Sequence, residues 1–222
     1  MLAVFAGIML AIHWTSFFQS IQLSSVAIGT ITFSTFPLFL IFLEPLLFRE
    51  RLSLKNLACA IILLAGVTIT IPEFSMGNQM TVGLLWGMLS SFSYAIITLC
   101  NRYLSRSYAG SVVCLYEQGT AAVVLLPFLL GAQAVWTVQN VVGVGIIGIA
   151  CTTLAYSLYV AAQKRLKAQT VGIISGMETV YGIVYALLFL KEVPTLRELL
   201  GGAVILSVAL VFSLGNREEK AN

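Results

Sequence analysis

From Gln118 to Gln163 the chain reads QGTAAVVLLPFLLGAQAVWTVQNVVGVGIIGIACTTLAYSLYVAAQ, 46 residues without one Lys, Arg, Asp or Glu. No soluble surface of that length does without charge. A hydrocarbon core about 30 Å thick takes about 20 apolar residues per helix, at a rise of about 1.5 Å each. The run is therefore two membrane spans and a turn. Outward from it, Met1–Leu43 and Phe74–Asn101 lack the same four residue types, and Asp is absent altogether. With 59% hydrophobic and 9% charged residues, the composition excludes a soluble globular domain. The expected fold class is all-α, a polytopic membrane helical bundle.

Hydropathy and turn signals predict about eight transmembrane helices: Leu2 to Ile21, Ser25 to Phe48, Leu54 to Ile71, Thr81 to Asn101, Gly110 to Leu130, Val138 to Ala162, Ala168 to Leu190 and Arg197 to Leu214. Ten cations follow the second, fourth, sixth and eighth spans, and only Lys191 and Arg197 fall on the other face. That asymmetry predicts cytoplasmic termini in a bacterial inner (plasma) membrane. Position explains the net charge of +3, so no nucleic-acid partner is implied. Cys59, Cys100, Cys114 and Cys151 have neither metal-site nor redox spacing, lie in or beside apolar runs, and read as small buried thiols with no disulfide framework.

An internal repeat organises the chain. Val26–Leu64 overlays Ala168–Leu206 at a constant offset of 142 without gaps, pairing Glu50 with Glu192, Arg49 with Lys191 and Lys55 with Arg197. The two pieces lie an odd number of spans apart, so they cross the bilayer in opposite senses. The expected organisation is an inverted five-helix repeat with the first repeat incomplete. Residues 1–72 are a partial first repeat of three helices and 73–80 an extracytoplasmic loop; 81–215 are the full second repeat and 216–222 a cytoplasmic tail. Two further helices would be expected before Leu2.

The stretches Leu23-Ser-Ser-Val-Ala-Ile-Gly…Phe36-Pro37-Leu38…Phe48-Arg49-Glu50-Arg51-Leu52 and Ala168-Gln-Thr-Val-Gly…Glu178-Thr179-Val180…Leu190-Lys191-Glu192 resemble the two halves of the EamA-type drug/metabolite transporters. The resemblance covers essentially the whole chain. It implies ten helices in two inverted repeats, of which this chain looks like helices three to ten. The sequence departs from the family at Thr179, where proline commonly follows the glutamate.

Polar and aromatic residues recur at helical spacing on four spans. These are Thr152, Tyr156, Tyr159 and Gln163 on the sixth; His13, Phe17, Ser20 and Ser24 on the first, beside Trp14; Glu178, Tyr181 and Tyr185 on the seventh; and Ser90, Tyr94 and Asn101 on the fourth. Such faces avoid lipid and predict a wet central cavity. Glu178, near mid-span, is expensive there unless paired or hydrated, which suits a residue that binds a substrate ammonium or takes up a proton. Glu117 is a second such carboxyl. His13 suits an interhelical donor better than a ligand, and Glu44 beside Arg49 and Arg51 reads as an interfacial ion pair. Glu50 and Glu192 read as loop clamps. Gly83, Gly87 and Ser91, and Gly172 and Gly176, read as sites of close helix approach. Gly143-Val-Gly145-Ile-Ile-Gly148 matches a dinucleotide fingerprint literally, but no strand precedes it, and helix packing is the expected use.

The substrate-binding or coupling set is thus Glu178, Tyr181, Tyr156, Thr152, His13, Trp14, Phe17, Tyr94 and Glu117. No catalytic or metal residues and no cofactor are expected beyond proton or counter-substrate coupling. The expected partners are a small-molecule substrate, the lipid bilayer and, as a candidate, a second copy in a homodimer. The expected function is secondary-active transport of a small metabolite or drug-like solute by alternating access, as an exporter. The other reading is a non-transporting membrane subunit or a fragment that packs with another chain. One His and no Asp argue against an intramembrane enzyme.

Overall fold

The computed structural model describes residues 1–49, 54–70, 77–131, 136–166, 171, 175 and 178–218, and among these it is helical throughout, with turns between. The helices are α1 (Leu2–Leu23), α2 (Val26–Phe33), α3 (Phe36–Phe48), α4 (Leu54–Thr70), α5 (Gln79–Leu104), α6 (Gly110–Gly131), α7 (Val138–Ile146), α8 (Ala155–Ala162), α9 (Glu178–Tyr185) and α10 (Leu196–Glu218). A π-helical stretch, Ile147–Leu154, joins α7 to α8, and another, Ala186–Leu190, extends α9. Each of the eight expected spans is met by helix. Among the described residues, five segments are long and apolar enough to cross a membrane, and Leu57–Ile69 and Glu178–Leu190 are shorter apolar ones.

The second span departs from its expected continuity. It breaks at Ser34 and Thr35 into α2 and α3. Pro37 lies in the first turn of α3, where its missing N–H costs nothing, whereas inside a continuous helix it would clash with the preceding turn. Ser25 opens α2 as an N-cap, its Oγ accepting from the Ile28 N–H at 3.1 Å. Ser34 closes it, its N–H donating to the Thr30 carbonyl at 3.0 Å. The pieces still make one membrane crossing.

The chain divides into two compact units, with boundaries inside α1 and α5: residues 1–12 with 96–167, and residues 13–95 with 168–222. In the second unit α4 packs on α10 around Cys59, Ala60, Leu63, Val67, Ile205 and Val208. These are repeat-equivalent helices, since Leu54 and Leu196 are 142 apart. α2 packs on α9. Thr30 lies against Gly182 and Ser34 hydrogen-bonds Thr179, so rising numbers on α2 meet falling numbers on α9. The two run antiparallel. A Cβ on Gly182 would come within 2.9 Å of Thr30 Cγ2, so glycine permits this approach. Gly83 abuts Ser24 and Gly87 abuts Thr32, where the spacing on the fourth span placed close packing.

In the first unit, Leu104, Val113 and Val160 form the core where α6 meets α8. Two expectations are corrected here. The glycines at 143, 145 and 148 have nothing within 4 Å of an added Cβ, so they do not serve packing among the described residues. Cys151 is exposed, although Cys59, Cys100 and Cys114 are buried, and all four are free. In the second unit Glu44 of α3 is 0% exposed, and Arg51 of its expected ion pair lies outside the described residues. Gly172, Gly176 and Glu50 lie outside the described residues.

Candidate functional site

A cavity of about 730 Å³ lies within the second unit, lined by Phe17 and Ile21 of α1, Val26 and Thr30 of α2, and Ser175, Glu178, Tyr181, Gly182 and Tyr185 on the α9 side. Periodicity builds it. Residues 17 and 21 are one turn apart, as are 26 and 30, and 178, 181, 182 and 185 follow one helix face. The volume suits a small organic solute. Glu178 is the one carboxyl among these lining residues, and no Lys, Arg or His is among them. Tyr181, Tyr185 and Phe17 supply aromatic faces, while Thr30 and Ser175 bring hydroxyls. A cation over such rings gains attraction from their π-faces in addition to the carboxylate. The site therefore offers one anionic group in an aromatic, mostly apolar chamber.

Behind the chamber the helix break is stitched by hydroxyls. A break strands backbone carbonyls that lipid cannot satisfy. Ser91 of α5 donates to the Thr32 carbonyl at 2.7 Å and the Phe33 carbonyl at 3.0 Å. Thr35 Oγ1 donates to Ser91 Oγ at 3.1 Å. Thr179, adjacent to Glu178, donates to the Thr30 carbonyl at 3.2 Å and hydrogen-bonds Ser34 Oγ. Ser34, Thr35, Ser91 and Thr179 are all buried. Thr179 is the repeat mate of Pro37, 142 positions away. One position thus shapes the break with a ring in the first repeat and ties it with a hydroxyl in the second.

His13, Phe17, Phe33, Phe36 and Tyr94 form an aromatic cluster beside the chamber, with ring centroids 4.8 Å apart for His13 and Tyr94. His13 Nδ1 lies 2.8 Å from Ser90 Oγ and 3.2 Å from the Ser90 carbonyl, an interhelical bond between α1 and α5. Phe17 belongs both to this cluster and to the cavity wall. Trp14 is half-buried on the same helix.

The remaining predicted residues fall in the first unit. Glu117 of α6 is 0% exposed. The Tyr156 hydroxyl donates to its Oε2 at 2.9 Å. Asn101, with Nδ2 turned toward the carboxylate, donates to Oε1 at 2.5 Å; the opposite orientation would set two acceptors face to face. Tyr159 stacks on Tyr156 at 5.9 Å and bonds Thr98 at 3.0 Å. Thr152 sits half-buried in the π-helical stretch, one turn before Tyr156. Within that stretch Thr153 Oγ1 donates to the Gly148 carbonyl at 2.8 Å, a bond five residues back.

Phe17, Glu178 and Tyr181 are the predicted residues brought together at the cavity. His13 and Tyr94 share the adjoining cluster, and Tyr156 and Glu117 share the network of the first unit. Sequence reading missed the hydroxyl collar. Its signal was Pro37, read as part of a resemblance rather than as the start of a new helix.

Comparison with known proteins follows the same outline. The model of the EamA-like transporter family matches residues 1–71 and again residues 81–214. An uncharacterized transporter of Bacillus subtilis is 25% identical over 220 residues, covering 97% of this chain and 70% of that protein. An uncharacterized transporter of Archaeoglobus fulgidus is 26% identical over 196 residues, covering 88% and 70%. One from Helicobacter pylori is 28% identical over 209 residues, covering 90% and 68%. A solved crystal structure superposes with a TM-score of 0.73 at 21% identity, over 97% of this chain and 77% of that one, a likeness of fold.

Proposed function

Since the chain belongs to the EamA-like transporter family, we propose that it exports a small amphipathic solute by alternating access around the chamber between α1, α2 and α9. It is an integral, multi-pass membrane protein and a transporter; the solute, the direction and the mechanism are the proposal. One observation carries it: the cavity lies between α2 and α9, which run antiparallel and belong to the two spans that the offset of 142 pairs, with Glu178 in its wall. Inverted repeats of this kind can rock about a central site and expose it alternately to the two faces.

In this reading Glu178 receives the solute's ammonium group or a coupling proton, and Tyr181, Tyr185 and Phe17 hold its apolar part. Glu117, Asn101 and Tyr156 form a second buried polar site available for coupling. The sequence holds no Walker motif, so the gradient of an ion or counter-substrate would drive the cycle. Membership in a transporter family supports a non-enzymatic role. The proposed location is the bacterial plasma membrane with cytoplasmic termini.

Reconstituted into proteoliposomes, the protein should move at least one of four solute classes: amino acids, amphipathic amines, sugars or nucleosides. Glu178→Gln should abolish or uncouple that flux while the bundle stays folded. Absence of flux for all four with folded protein would favour a subunit that packs with another chain. Unchanged flux in Glu178→Gln would remove the carboxylate from the mechanism.

A further inference from the structure

Glu192 stands just past the end of the seventh span. Lys191 turns the chain there in a left-handed conformation, φ 58°, and the Glu192 N–H bonds back to the Ala186 carbonyl at 3.2 Å. The side chain reaches the opposite repeat. Glu192 Oε2 accepts from the Val26 N–H at 3.1 Å, the first N–H of α2. A helix N-terminus presents unsatisfied donors and positive dipole, so a carboxylate there makes a charge-assisted cap. Ser25 caps the same helix from within, so Glu192 is not needed to start α2. It does something Ser25 cannot, because it joins the beginning of α2 to the end of the α9 span.

Those two helices flank the large cavity, and Val26 lies in its wall. A second hollow of about 200 Å³ sits at this same end, lined by Ser25, Ala27, Ile183, Ala186, Glu192, Val193, Pro194, Thr195 and Glu198. Glu198 does not compete for the Val26 N–H. Its Oε2 accepts from Thr195 N at 2.6 Å, and Thr195 Oγ1 accepts from Glu198 N at 3.3 Å, a capping box that opens α10. Glu192 is thereby held on a short loop between a left-handed turn and a fixed helix start, poised to bind or release α2.

We propose that the Glu192–Val26 bond is a latch that closes the solute chamber at this end, and that its release lets α2 and α9 part there. The proposal rests on the reading of the cavity as a transport site and makes Glu192 a positioning residue, not a ligand. The repeat supplies an independent reason. The offset of 142 that maps Glu192 onto Glu50 also maps Val26 onto Ala168, so exchanging the repeats carries both partners of the latch to the other end of the same two spans. Glu50 and Ala168 lie outside the described residues, and their part is a matter of register alone.

Backbone geometry offers a clean test. Val26 is the first residue of α2, a position that accepts proline, and Ser25 before it is extended at φ −154° and ψ 166°, as a residue preceding proline requires. Val26→Pro therefore deletes the donor and leaves Glu192 in place. In protein whose four native cysteines are replaced, Ser175→Cys reports access to the cavity through its reaction with a membrane-impermeant methanethiosulfonate added at the face bearing Glu192. Val26→Pro and Glu192→Ala should each speed labelling about tenfold, the effect on an equilibrium of losing one bond to a charged acceptor. Their combination should do no more than either alone. Glu50→Ala should label at the parental rate at this face. Unchanged labelling in Val26→Pro, additive effects in the double variant, or equal acceleration by Glu50→Ala would overturn the latch. The assay needs no solute, so a chain that transports nothing could still show the latch, and a transporter could still lack it.

Discussion

Arg49 and Lys191 both end their helices in the left-handed region, at φ 54° and 58°, and they stand 142 positions apart. That is the spacing that aligns the two repeats in sequence. Among the described residues no other non-glycine residue has positive φ. Two side chains paying the same steric cost at equivalent positions mark one structural unit used twice, since helices usually end this way on glycine.

Replacing either residue by glycine should relieve that cost. Arg49→Gly and Lys191→Gly are each expected to stabilise the protein by up to about 1 kcal/mol, while valine at either site should destabilise it by a similar amount. Thermal unfolding in detergent measures both. Opposite responses at the two sites would argue against equivalent caps.

Thr179 is expected to matter through its hydroxyl. Thr179→Val keeps the shape and leaves the Thr30 carbonyl its bond from the Ser34 N–H, but it takes the Thr179 partner from the Ser34 hydroxyl, buried beside the break. The loss should be about 1–3 kcal/mol, and Thr179→Ser should recover most of it. Equal stability of the valine and serine variants would show that the break needs no such bond.

Gly182 sets the distance between α2 and α9. An alanine Cβ would sit 2.9 Å from Thr30 Cγ2, so Gly182→Ala must displace one helix or turn a threonine side chain. Overpacking of this kind costs about 1–3 kcal/mol. Flux should fall with it, because the same residue lines the cavity. Normal stability and flux in Gly182→Ala would mean the approach is looser than described.

The network around Glu117 predicts an asymmetry. Tyr156→Phe deletes one donor to a buried carboxyl and should cost about 1–3 kcal/mol, whereas Glu117→Gln retains an acceptor for the Tyr156 hydroxyl and should cost less. If the glutamine variant proves the more damaging, the carboxyl has a task beyond structure.

Much of this was legible in the chain itself. Runs without charge located the spans, and the offset of 142 pairs Arg49 with Lys191, the two residues that are left-handed in the structure. The stripe Glu178, Tyr181, Tyr185 met Phe17 at one cavity because helical period survives burial. The break at Ser34–Thr35 was not legible from hydropathy. Serine and threonine are apolar enough to continue a span, and the carbonyls there are satisfied by local bonds from Ser34 and Thr35 together with tertiary ones from Ser91 and Thr179. The glycines at 143, 145 and 148 carried a packing pattern with no neighbour within 4 Å among the described residues, and sequence period alone cannot tell a helix contact from a lipid face.

The central claim is a hydrated chamber between α2 and α9, antiparallel helices of the two repeat-related spans, and thiol accessibility tests it most directly. With Cys59, Cys100, Cys114 and Cys151 replaced, single cysteines are placed at Ser175, in the cavity wall, and at Ile41, in the sealed core of the second unit. An impermeant methanethiosulfonate should modify the cysteine at 175 in the native membrane and leave that at 41 untouched until the protein is unfolded. A cysteine at 175 that reacts from neither side before denaturation would contradict the account.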